Sequence, residues 1–318
     1  MKPGKRVTDL TLAFSLISSQ GGQHKFALPS TAKLQKVRVN GRSQPIRQEG
    51  GQVVLPVVPG KNNFQVQWRD PSGIATRWQT PAFQLADAHV NATTTVQWPR
   101  DRWTLWTKGP LMGPAILIWG ILAVVLIASF VLAFGLKGLP LGLVSWFLLG
   151  VGLSQVWVLA ALVVVAWFVL LRYRSTLGAH TSNWIFNTIQ VVIVVVTLMT
   201  IGVLFGAVQA GLLGYPSMQI TGNGSSGWHY IWYQDRVDGV YPQGSVISVP
   251  LLYYRIAMLA WALWLAFALL KWLRWAWQSF STGGLWRSIR FAKPGDTVLA
   301  TPAQPHGGPA VKPTDGSG

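Results

Sequence analysis

The chain contains no cysteine and has few charged side chains for its length. None of its 318 residues is Cys, which excludes disulfide bonds, thiolate chemistry and cysteine-ligated metal sites. Asp, Glu, Lys and Arg together make up 11% of the residues, whereas roughly a quarter is usual in soluble domains. Because half of the residues are also hydrophobic, this shortage of charge indicates that much of the chain lies in a membrane.

Charge is missing altogether from three long stretches. No Asp, Glu, Lys or Arg occurs between Lys108 and Lys137, between Lys137 and Arg172, or between Arg174 and Asp235. A helix that crosses the hydrocarbon core needs about 20 mostly apolar residues, and a charge at its centre is costly. The stretches therefore predict an integral membrane protein that has the lipid bilayer as a partner.

Residues that usually carry catalysis or bind metals are scarce. Glu49 is the only glutamate, and the five histidines are scattered without the paired spacing of a metal site. Asp235 and Asp238 could form a carboxylate pair, but their segment is first of all typical of a solvated turn. The glycines of residues 222–227 match the dinucleotide fingerprint, yet an aromatic, strand-like run follows them instead of a helix. The sequence predicts no catalytic residue, no cofactor and no metal, and hence no enzyme.

The net charge of +17 raises the question of a nucleic-acid partner. The basic residues are spread thinly over residues 1–108 and gather again after the last apolar run. This distribution suits retention beside anionic lipid better than phosphate-backbone binding. We therefore expect no nucleic acid among the partners.

The first third of the sequence has the pattern of half-buried strands. Apolar and polar residues alternate over residues 8–99, as in the segment from Phe64 to Arg69. Turn signals such as Asn40-Gly41 and Pro59-Gly60 separate the strands at intervals of about ten residues. We predict an antiparallel β-sandwich domain over residues 1–108, which is long enough for one core.

Apolar runs define a transmembrane helical domain over residues 109–280. Full spans are predicted at about 111–136, 184–213 and 251–277. The uncharged stretch 138–171 is too long for one upright helix and too short for two generous spans, since a helix rises about 1.5 Å per residue. We interpret it as a hairpin over 140–172, and the alternative is one strongly tilted span.

The hairpin interpretation depends on small and polar residues in the middle of that stretch. They predict two short helices, 140–153 and 156–172, joined by a turn. A polar turn of this kind must be buried in protein or reach the interface. The predicted turn residues are Gly150, Gly152, Ser154 and Gln155.

Small residues recur every fourth position on the predicted third span. Such a ridge lets two membrane helices approach closely, either within the same bundle, which we expect, or between two chains of a homo-oligomer. The predicted helix-packing residues are Gly202, Gly206, Ala210 and Gly214.

The loop 215–249 is rich in aromatic residues and β-forming segments. Segments 218–221, 228–234 and 245–249 predict a three-stranded meander, a small β cap on the bundle. Exposed aromatic residues at one site can bind a partner protein or a glycan, and the alternative is that they pack on the β domain. The candidate partner-binding residues are Trp228, Tyr230, Trp232, Asp235 and Arg236.

Basic residues indicate the orientation in the membrane. Basic residues occur at three places in the membrane domain: at Lys137, at Arg172 with Arg174, and in the segment after Leu270. In the hairpin interpretation all three places face the cytoplasm. The β domain then lies outside, and the Pro- and Gly-rich tail 281–318 is disordered in the cytoplasm. One tilted span would instead put the β domain in the cytoplasm. Met1 to Leu10 contain no apolar signal segment, so outward placement calls for a longer precursor.

Several short segments resemble the carboxy-terminal region of large multi-pass membrane proteins of Gram-negative bacteria. These proteins carry extracytoplasmic β domains ahead of their membrane helices, which implies an inner-membrane location with the β domain in the periplasm. The resemblance implies no catalytic role, because no activity is known for that group. The segments are Gly113-Pro114-Ala115 with Trp119-Gly120, Leu149 to Gln155, Gly222 to Ser226 with Trp232 to Arg236, and Ala260 to Ala266.

The expected fold is mixed: an antiparallel β-sandwich followed by an α-helical transmembrane bundle of three full spans plus a helical hairpin, with a small β cap in a loop. The expected function is that of a non-enzymatic envelope anchor, whose β domain and aromatic loop bind a protein or polymer. The rival is a transport or channel component with a polar path through the hairpin and past Thr197, Thr200 and Gln209.

Overall fold

A β region precedes a helical bundle in the structure, as the sequence predicts. Three further strands lie between the fourth and fifth helices. The structure is a computed structural model, and it describes residues 1–83, 85, 88–177, 181–238 and 241–288.

Eight strands in the first 70 residues form two antiparallel sheets, which we call the first β unit. A five-stranded sheet has the order β1-β2-β8-β4-β5, where the strands are β1 (Lys2–Pro3), β2 (Thr8–Ser18), β4 (Lys33–Val39), β5 (Arg42–Gln44) and β8 (Gly60–Asp70). A three-stranded sheet has the order β3-β7-β6, where the strands are β3 (Gly22–Ala27), β6 (Gln48–Glu49) and β7 (Gln52–Val57).

One apolar core joins these two sheets. On β8, Phe64, Val66 and Trp68 are buried, which confirms the side that their alternation predicts. Trp68 lies opposite Leu10 of β2, and Leu55 of β7 belongs to the same buried cluster. Side chains from both sheets therefore shelter each other from water, which is the main source of stability for such a unit.

A second β unit combines strands from distant parts of the chain. Strand β10 pairs with β14, and β15 lies between β11 and β9. A short pair, β12 with β13, lies next to β11 in sequence and space. The strands are β9 (Arg77–Gln79), β10 (His89–Gln97), β11 (Arg102–Lys108), β12 (Ala115–Ile116), β13 (Ile220–Thr221), β14 (His229–Val237) and β15 (Ser245–Pro250).

This pairing corrects the expected β cap. The segments 218–221, 228–234 and 245–249 form no meander of their own, because each pairs with a strand from residues 77–116. The predicted domain 1–108 accordingly contains strands whose partners follow the fourth helix. Alternation determines which face of a sheet a side chain takes, but it leaves the neighbouring strand undetermined.

In the described part of the chain five helices form the bundle, and four of them are long and apolar enough to cross a membrane. The first helix begins later than the predicted residue 111, because residues 115–116 form β12 and belong to the second β unit. The four long helices are α1 (Ile118–Gly135), α3 (Val158–Thr176), α4 (Asn183–Leu213) and α5 (Leu251–Ser281), and the shorter one is α2 (Leu143–Leu153).

Helices α2 and α3 form the hairpin that the sequence favours. The prediction of three full spans and two short helices is wrong for α3, which is itself one of the four helices long enough to cross a membrane. Arg172, near the end of α3, packs against Gly138, which follows α1. Near the open end of the hairpin the rings of Trp146 and Phe168 lie 5.7 Å apart. The chain therefore returns to the end of the bundle that it left, and one tilted span is excluded.

The bundle has two distinct ends. We call the end where α1 begins, α4 ends and α5 begins the β side, because the second β unit lies there. The opposite end, where α1 and α3 end, is the far side. Arg174 of α3 bonds there to Gln190 of α4 and to the Phe280 carbonyl of α5.

Part of the predicted disordered tail is ordered at the far side. The Asn187 side chain donates to the Arg287 carbonyl at 2.7 Å and accepts from the Arg287 backbone N–H at 3.0 Å. The Asn183 amide donates to the Ser288 carbonyl at 2.9 Å. These bonds satisfy backbone groups of residues 281–288, so the prediction is wrong for this segment, and residues 289–318 lie outside the described residues.

Candidate functional site

Aromatic residues of the loop form the core of the second β unit. Tyr230 and Trp232 are buried together with Trp78, Trp98 and Val246. Successive residues of a strand point to opposite faces, so His229 and Ile231 lie on the other side of β14. Tyr230 and Trp232 therefore pack within the β unit, as the alternative to partner binding predicts. Their side chains are buried and stabilise this unit.

Trp232 fits into a seat made by three glycines. Gly109, Gly113 and Gly244 approach its indole so closely that a Cβ atom on any of them would overlap the ring. The first two lie between β11 and β12, and the third immediately precedes β15. The glycines around residue 110 are the sequence signal for a close contact at this point.

The remaining predicted partner-binding residues are Trp228 at one end of β14 and Asp235 with Arg236 near the other end. Trp228 is half-buried, and its ring packs edge-on against Tyr215 at 5.3 Å. Asp235 and Arg236 are exposed near the end of β14. The Tyr233 hydroxyl bonds to Asn91 at 2.7 Å, and its partial desolvation together with the nearby Asp235 carboxylate raises the pKa of Tyr233.

A polar cleft is located where the second β unit meets the helices. Its volume is about 350 Å³. One wall is strand β11, and the other is the segment that leaves α4. The lining residues are Arg102, Thr104, Tyr215, Pro216, Ser217, Met218, Gln219, Ile220, Gly227 and Trp228. Of the five candidate residues only Trp228 contributes to this cleft, and the sequence analysis did not single out the others.

Arg102 supplies the positive charge of the cleft. Its Nε and Nη2 atoms donate to the Ser248 hydroxyl at 3.1 and 2.9 Å, and Nη2 also donates to the carbonyls of Ser248 and Ala75. Burial lowers the pKa of Arg102, although the Asp101 carboxylate opposes the shift. Arginine stays protonated at neutral pH even so, and its Nη1 has no hydrogen bond within the described part of the chain.

Two hydroxyl groups connect the cleft to the core. The Thr104 and Tyr230 hydroxyls lie 2.7 Å apart, and Tyr230 also donates to the Gly227 carbonyl at 3.2 Å. Burial raises the pKa of Tyr230 to about 12, even though the bond to Thr104 favours the phenolate. Tyr230 is therefore neutral at physiological pH and fixes the position of β11 against residue 227.

Met218 of the cleft lining is held from behind by aromatic residues that do not line the cleft themselves. The Trp103 indole N–H donates to the Met218 sulfur at 3.1 Å, and the Trp103 ring lies 5.4 Å from that of Tyr254 in α5. The Leu251 N–H, the first of α5, bonds to the Asp101 carbonyl at 3.0 Å. The cleft therefore combines a guanidinium, hydroxyls and an aromatic face on a frame that is tied to a long helix.

The predicted hairpin residues are packed against the neighbouring helices. Gly150 lies against Val125 of α1, and Gly152 lies so close to Trp261 of α5 that a Cβ atom would overlap the indole. The Ser154 hydroxyl donates to the Val151 carbonyl at 2.7 Å, and the Gln155 amide lies 3.5 Å from the Ser154 hydroxyl. The Ser154 hydroxyl thus bonds within the turn, and the two glycines allow close helix contacts.

The predicted glycine ridge is not a contact within the bundle. A Cβ atom on Gly202 or Gly206 would meet no other atom within 4 Å, and Ala210 is exposed. Around Gly214 the nearest atoms belong to Ala210 of the same helix. The packed face of α4 instead carries Leu204, Ala207 and Gly211, and Gly211 lies against Met258 of α5. The small residues that are buried, Ala207 and Gly211, each follow a residue of the predicted ridge by one position.

The three residues of the rival transport path have different surroundings. The Thr197 hydroxyl accepts from the Trp167 indole at 2.8 Å and donates to the Ile193 carbonyl at 2.7 Å. Thr200 is buried and Gln209 is exposed. Within the described ranges, no group of three or more His, Asp or Glu side chains is placed to hold a metal ion.

Comparisons with protein-family models, with curated proteins and with solved structures return no match to this chain.

Proposed function

We propose that the chain is a multi-pass membrane protein that carries a β-sandwich and a second β unit on one side of the bilayer. The four long apolar helices support the membrane placement. The core shared by the two sheets of the first β unit supports the sandwich arrangement. Membrane residence is tested by carbonate extraction, which releases peripheral proteins and leaves bilayer-spanning chains in the pellet.

Exposed tryptophans lie at two levels of the bundle. Six of them have between 43% and 74% of their surface exposed. Indole rings favour the headgroup layer, so two separated groups are expected for a protein that spans a bilayer. The β-side group is Trp106, Trp119 and Trp157, and the far-side group is Trp184, Trp277 and Trp286.

We assign the far side to the cytoplasm and the β units to the periplasm of a bacterial inner membrane. The short connections and helix ends at the far side carry several Lys and Arg residues, whereas Asp235 and Asp238 lie on the β side. Positive residues in short loops are retained on the cytoplasmic side. The resemblance to carboxy-terminal regions of large Gram-negative membrane proteins agrees with this orientation.

The function we propose is non-enzymatic binding of an envelope polymer or protein in the cleft beside β11. The observation that supports this function is the cleft itself, which is lined by both Arg102 and Trp228. Guanidinium and hydroxyl groups bind acidic and hydroxyl-rich ligands, and an aromatic face packs on sugar rings or side chains. An acidic glycan polymer satisfies both requirements, and we take it as the ligand to test first.

A cleft-filling substitution tests this function. We expect Ser217→Trp to reduce the retention of isolated acidic envelope glycan by the purified protein about tenfold, since the new side chain occupies the space of the ligand. Ser43→Trp in β5, exposed and remote from the cleft, is the matched control. Equal retention by the two variants would contradict the assignment, and loss of retention only for protein ligands would replace the glycan by a protein.

A further inference from the structure

One edge of strand β2 is open along most of its length. Within the described ranges β1 pairs only with the first two residues of β2 on this edge, whereas β8 pairs with the whole strand on the other edge. The Gly4 N–H bonds to the Val7 carbonyl at 2.8 Å, and the residues of an antiparallel pair alternate in the neighbour that their backbone groups face. The residues of β2 whose N–H and carbonyl groups face the open edge are therefore Thr11, Ala13 and Ser15.

Strand β10 turns a similar edge away from its partner β14. The Thr95 carbonyl accepts from the Met1 nitrogen at 2.7 Å, and the Gln97 N–H donates to the Met1 carbonyl at 2.9 Å. The Thr93 carbonyl, two residues earlier, accepts from the Tyr241 hydroxyl at 2.8 Å. Beyond Met1, a side-chain hydroxyl thus takes the place of a backbone donor on this edge.

The start of the chain sets the distance between the two open edges. Residues 1–3 bond to β10 on one side and to β2 on the other, so one strand fits between them. Neighbouring strands lie about 4.8 Å apart, which puts β2 and β10 about 9–10 Å apart at this point. Farther along, residues 12–16 and 88–92 line a cleft of about 600 Å³. A smaller cavity of about 190 Å³, lined by residues 11–13 and 93–95, lies nearer to Met1.

Residues of the first apolar core also line these spaces. Leu12, Phe83 and Leu85 are buried in that core and contribute to the lining. The Tyr241 ring lines both spaces and stacks on Phe83 at 4.6 Å. Successive side chains of a strand point to opposite faces, so every second side chain of a strand in the cleft would contact this apolar surface. The cleft therefore suits a strand in which apolar and polar residues alternate.

We propose that the cleft binds an extended segment of a partner protein, which adds one strand between β2 and β10. The added strand continues the line of β1, antiparallel to β2 and parallel to β10, and about six of its residues fit beside residues 11–16. Its backbone groups bond to both open edges, and its alternate side chains contact the apolar lining, as in peptide capture by sheet edges. This cleft shares no lining residue with the cleft beside β11, so the inference is independent of the glycan site.

A partner protein fits the cleft better than a second copy of the chain does. Each strand in the described part of the chain is already paired within the chain, so a folded second copy has no strand to supply. The tail after residue 288 contains several Pro and Gly residues, which strand interiors disfavour. Residues 1–70 contain eleven Lys or Arg against three Asp or Glu, and this excess of positive charge favours an acidic partner. The partner segment is therefore unpaired, alternating and acidic.

The experiment measures the fluorescence anisotropy of a labelled eight-residue peptide that is titrated with the purified full chain in detergent. In this peptide valine alternates with glutamate and threonine. A control peptide has proline at two central positions, where it removes N–H donors and cannot continue a ladder. The unchanged chain should bind the alternating peptide saturably and should not bind the control peptide.

Three substitutions locate the binding edge. Ala13→Pro removes a donor from the open edge of β2 and should weaken binding about tenfold, the effect of one or two hydrogen bonds. Ser43→Pro in β5, the other edge strand of the same sheet, is the matched control and should bind normally. Its N–H also faces outward, because Val39 and Arg42 form the bonded pair beside the two-residue turn. Tyr241→Phe frees the Thr93 carbonyl and should strengthen binding about threefold.

The proposal fails if the unchanged chain does not bind the alternating peptide or if Ala13→Pro binds it as tightly. Weaker binding in Ser43→Pro alone would place the peptide on the edge of β5. A dimer of the unchanged chain that Ala13→Pro abolishes would put a second copy in the cleft. If Ala13→Pro does not fold, the two peptides and Tyr241→Phe decide: binding that neither distinguishes the peptides nor responds to Tyr241→Phe contradicts the added strand.

Discussion

The two β units use the same alternating strands but draw them from differently spaced parts of the chain. Every strand partner in the first unit comes from residues 1–70, so the strand pairing of this unit is complete before the first helix begins. In the second unit β10 and β11 pair with β14 and β15, and α1 to α4 lie between them. The second unit can therefore form only after α4 has returned the chain to the β side, and its stability should depend on the bundle.

The largest effect should come from removing one large core side chain from each β unit in turn. We expect Trp232→Ala to cost about 3–5 kcal/mol of unfolding free energy in the second unit, because it leaves a cavity among the buried aromatics. Hydrogen exchange should accelerate in 89–108 and 229–250 and remain unchanged in 8–18 and 60–70.

Trp68→Ala is the matched change in the first unit and should reverse that exchange pattern. If each substitution accelerates exchange in both units equally, the units are one cooperative body and the comparison fails.

Alkaline pH should destabilise the second unit selectively. The pKa of Tyr230 is raised from 10.0 to about 12 in the folded protein, so the unfolded chain loses this proton first. The stabilising effect is complete below pH 10 and is lost as the pH rises from 10 to 12, at most about 3 kcal/mol. Unfolding of the protein in detergent, followed by tryptophan fluorescence against pH, measures the loss. Tyr230→Phe should flatten this dependence, and an unaltered dependence would mean that another group titrates.

A smaller effect is expected from one methyl group at the Trp232 seat. Gly244→Ala places a Cβ atom against the indole and should cost about 1–3 kcal/mol by overpacking. Gly227→Ala meets no atom within 4 Å and is the control. The difference between their thermal unfolding midpoints measures the contact. Equal midpoints would show that the indole can shift freely within its seat.

A further pair of substitutions separates the two glycine patterns of the bundle. Gly152→Ala should lower the thermal stability, because the new methyl group meets Trp261, whereas Gly202→Ala should be neutral or slightly stabilising through helix propensity. Thermal unfolding in the same detergent compares them. A loss of stability confined to Gly202→Ala would restore the glycine ridge as a packing surface.

Local patterns in the sequence predict much of the architecture. The alternation around Val66 gives the buried face of β8, and the uncharged runs give the long helices within a few residues at most ends. The turn signal at Asn40-Gly41 is confirmed by positive φ angles of 51° and 82°. Each of these features depends on neighbouring residues alone, so the sequence contains the necessary information.

Features that depend on distant contacts were not predictable. Nothing in residues 77–108 indicates that their partners follow α4, so the sequence leaves open whether Tyr230 and Trp232 form a recognition surface or pack on the β domain. The ridge at Gly202 has the spacing of a packing motif, yet the position of α5 selects the face of Gly211. The cleft at Arg102 arises only when strand β11 meets the segment after α4, and its residues form no local motif.

Labelling of single cysteines in this cysteine-free chain tests the central claim most directly. The substitutions are Ser43→Cys, Ser226→Cys, Thr176→Cys and Thr282→Cys, and all four positions are exposed. An impermeant thiol reagent applied to cells with a permeabilised outer membrane should label residues 43 and 226, and it should label residues 176 and 282 only after lysis. Labelling of 226 together with protection of 43 would contradict the account, because it would place the first β unit and the loop on opposite sides of the membrane.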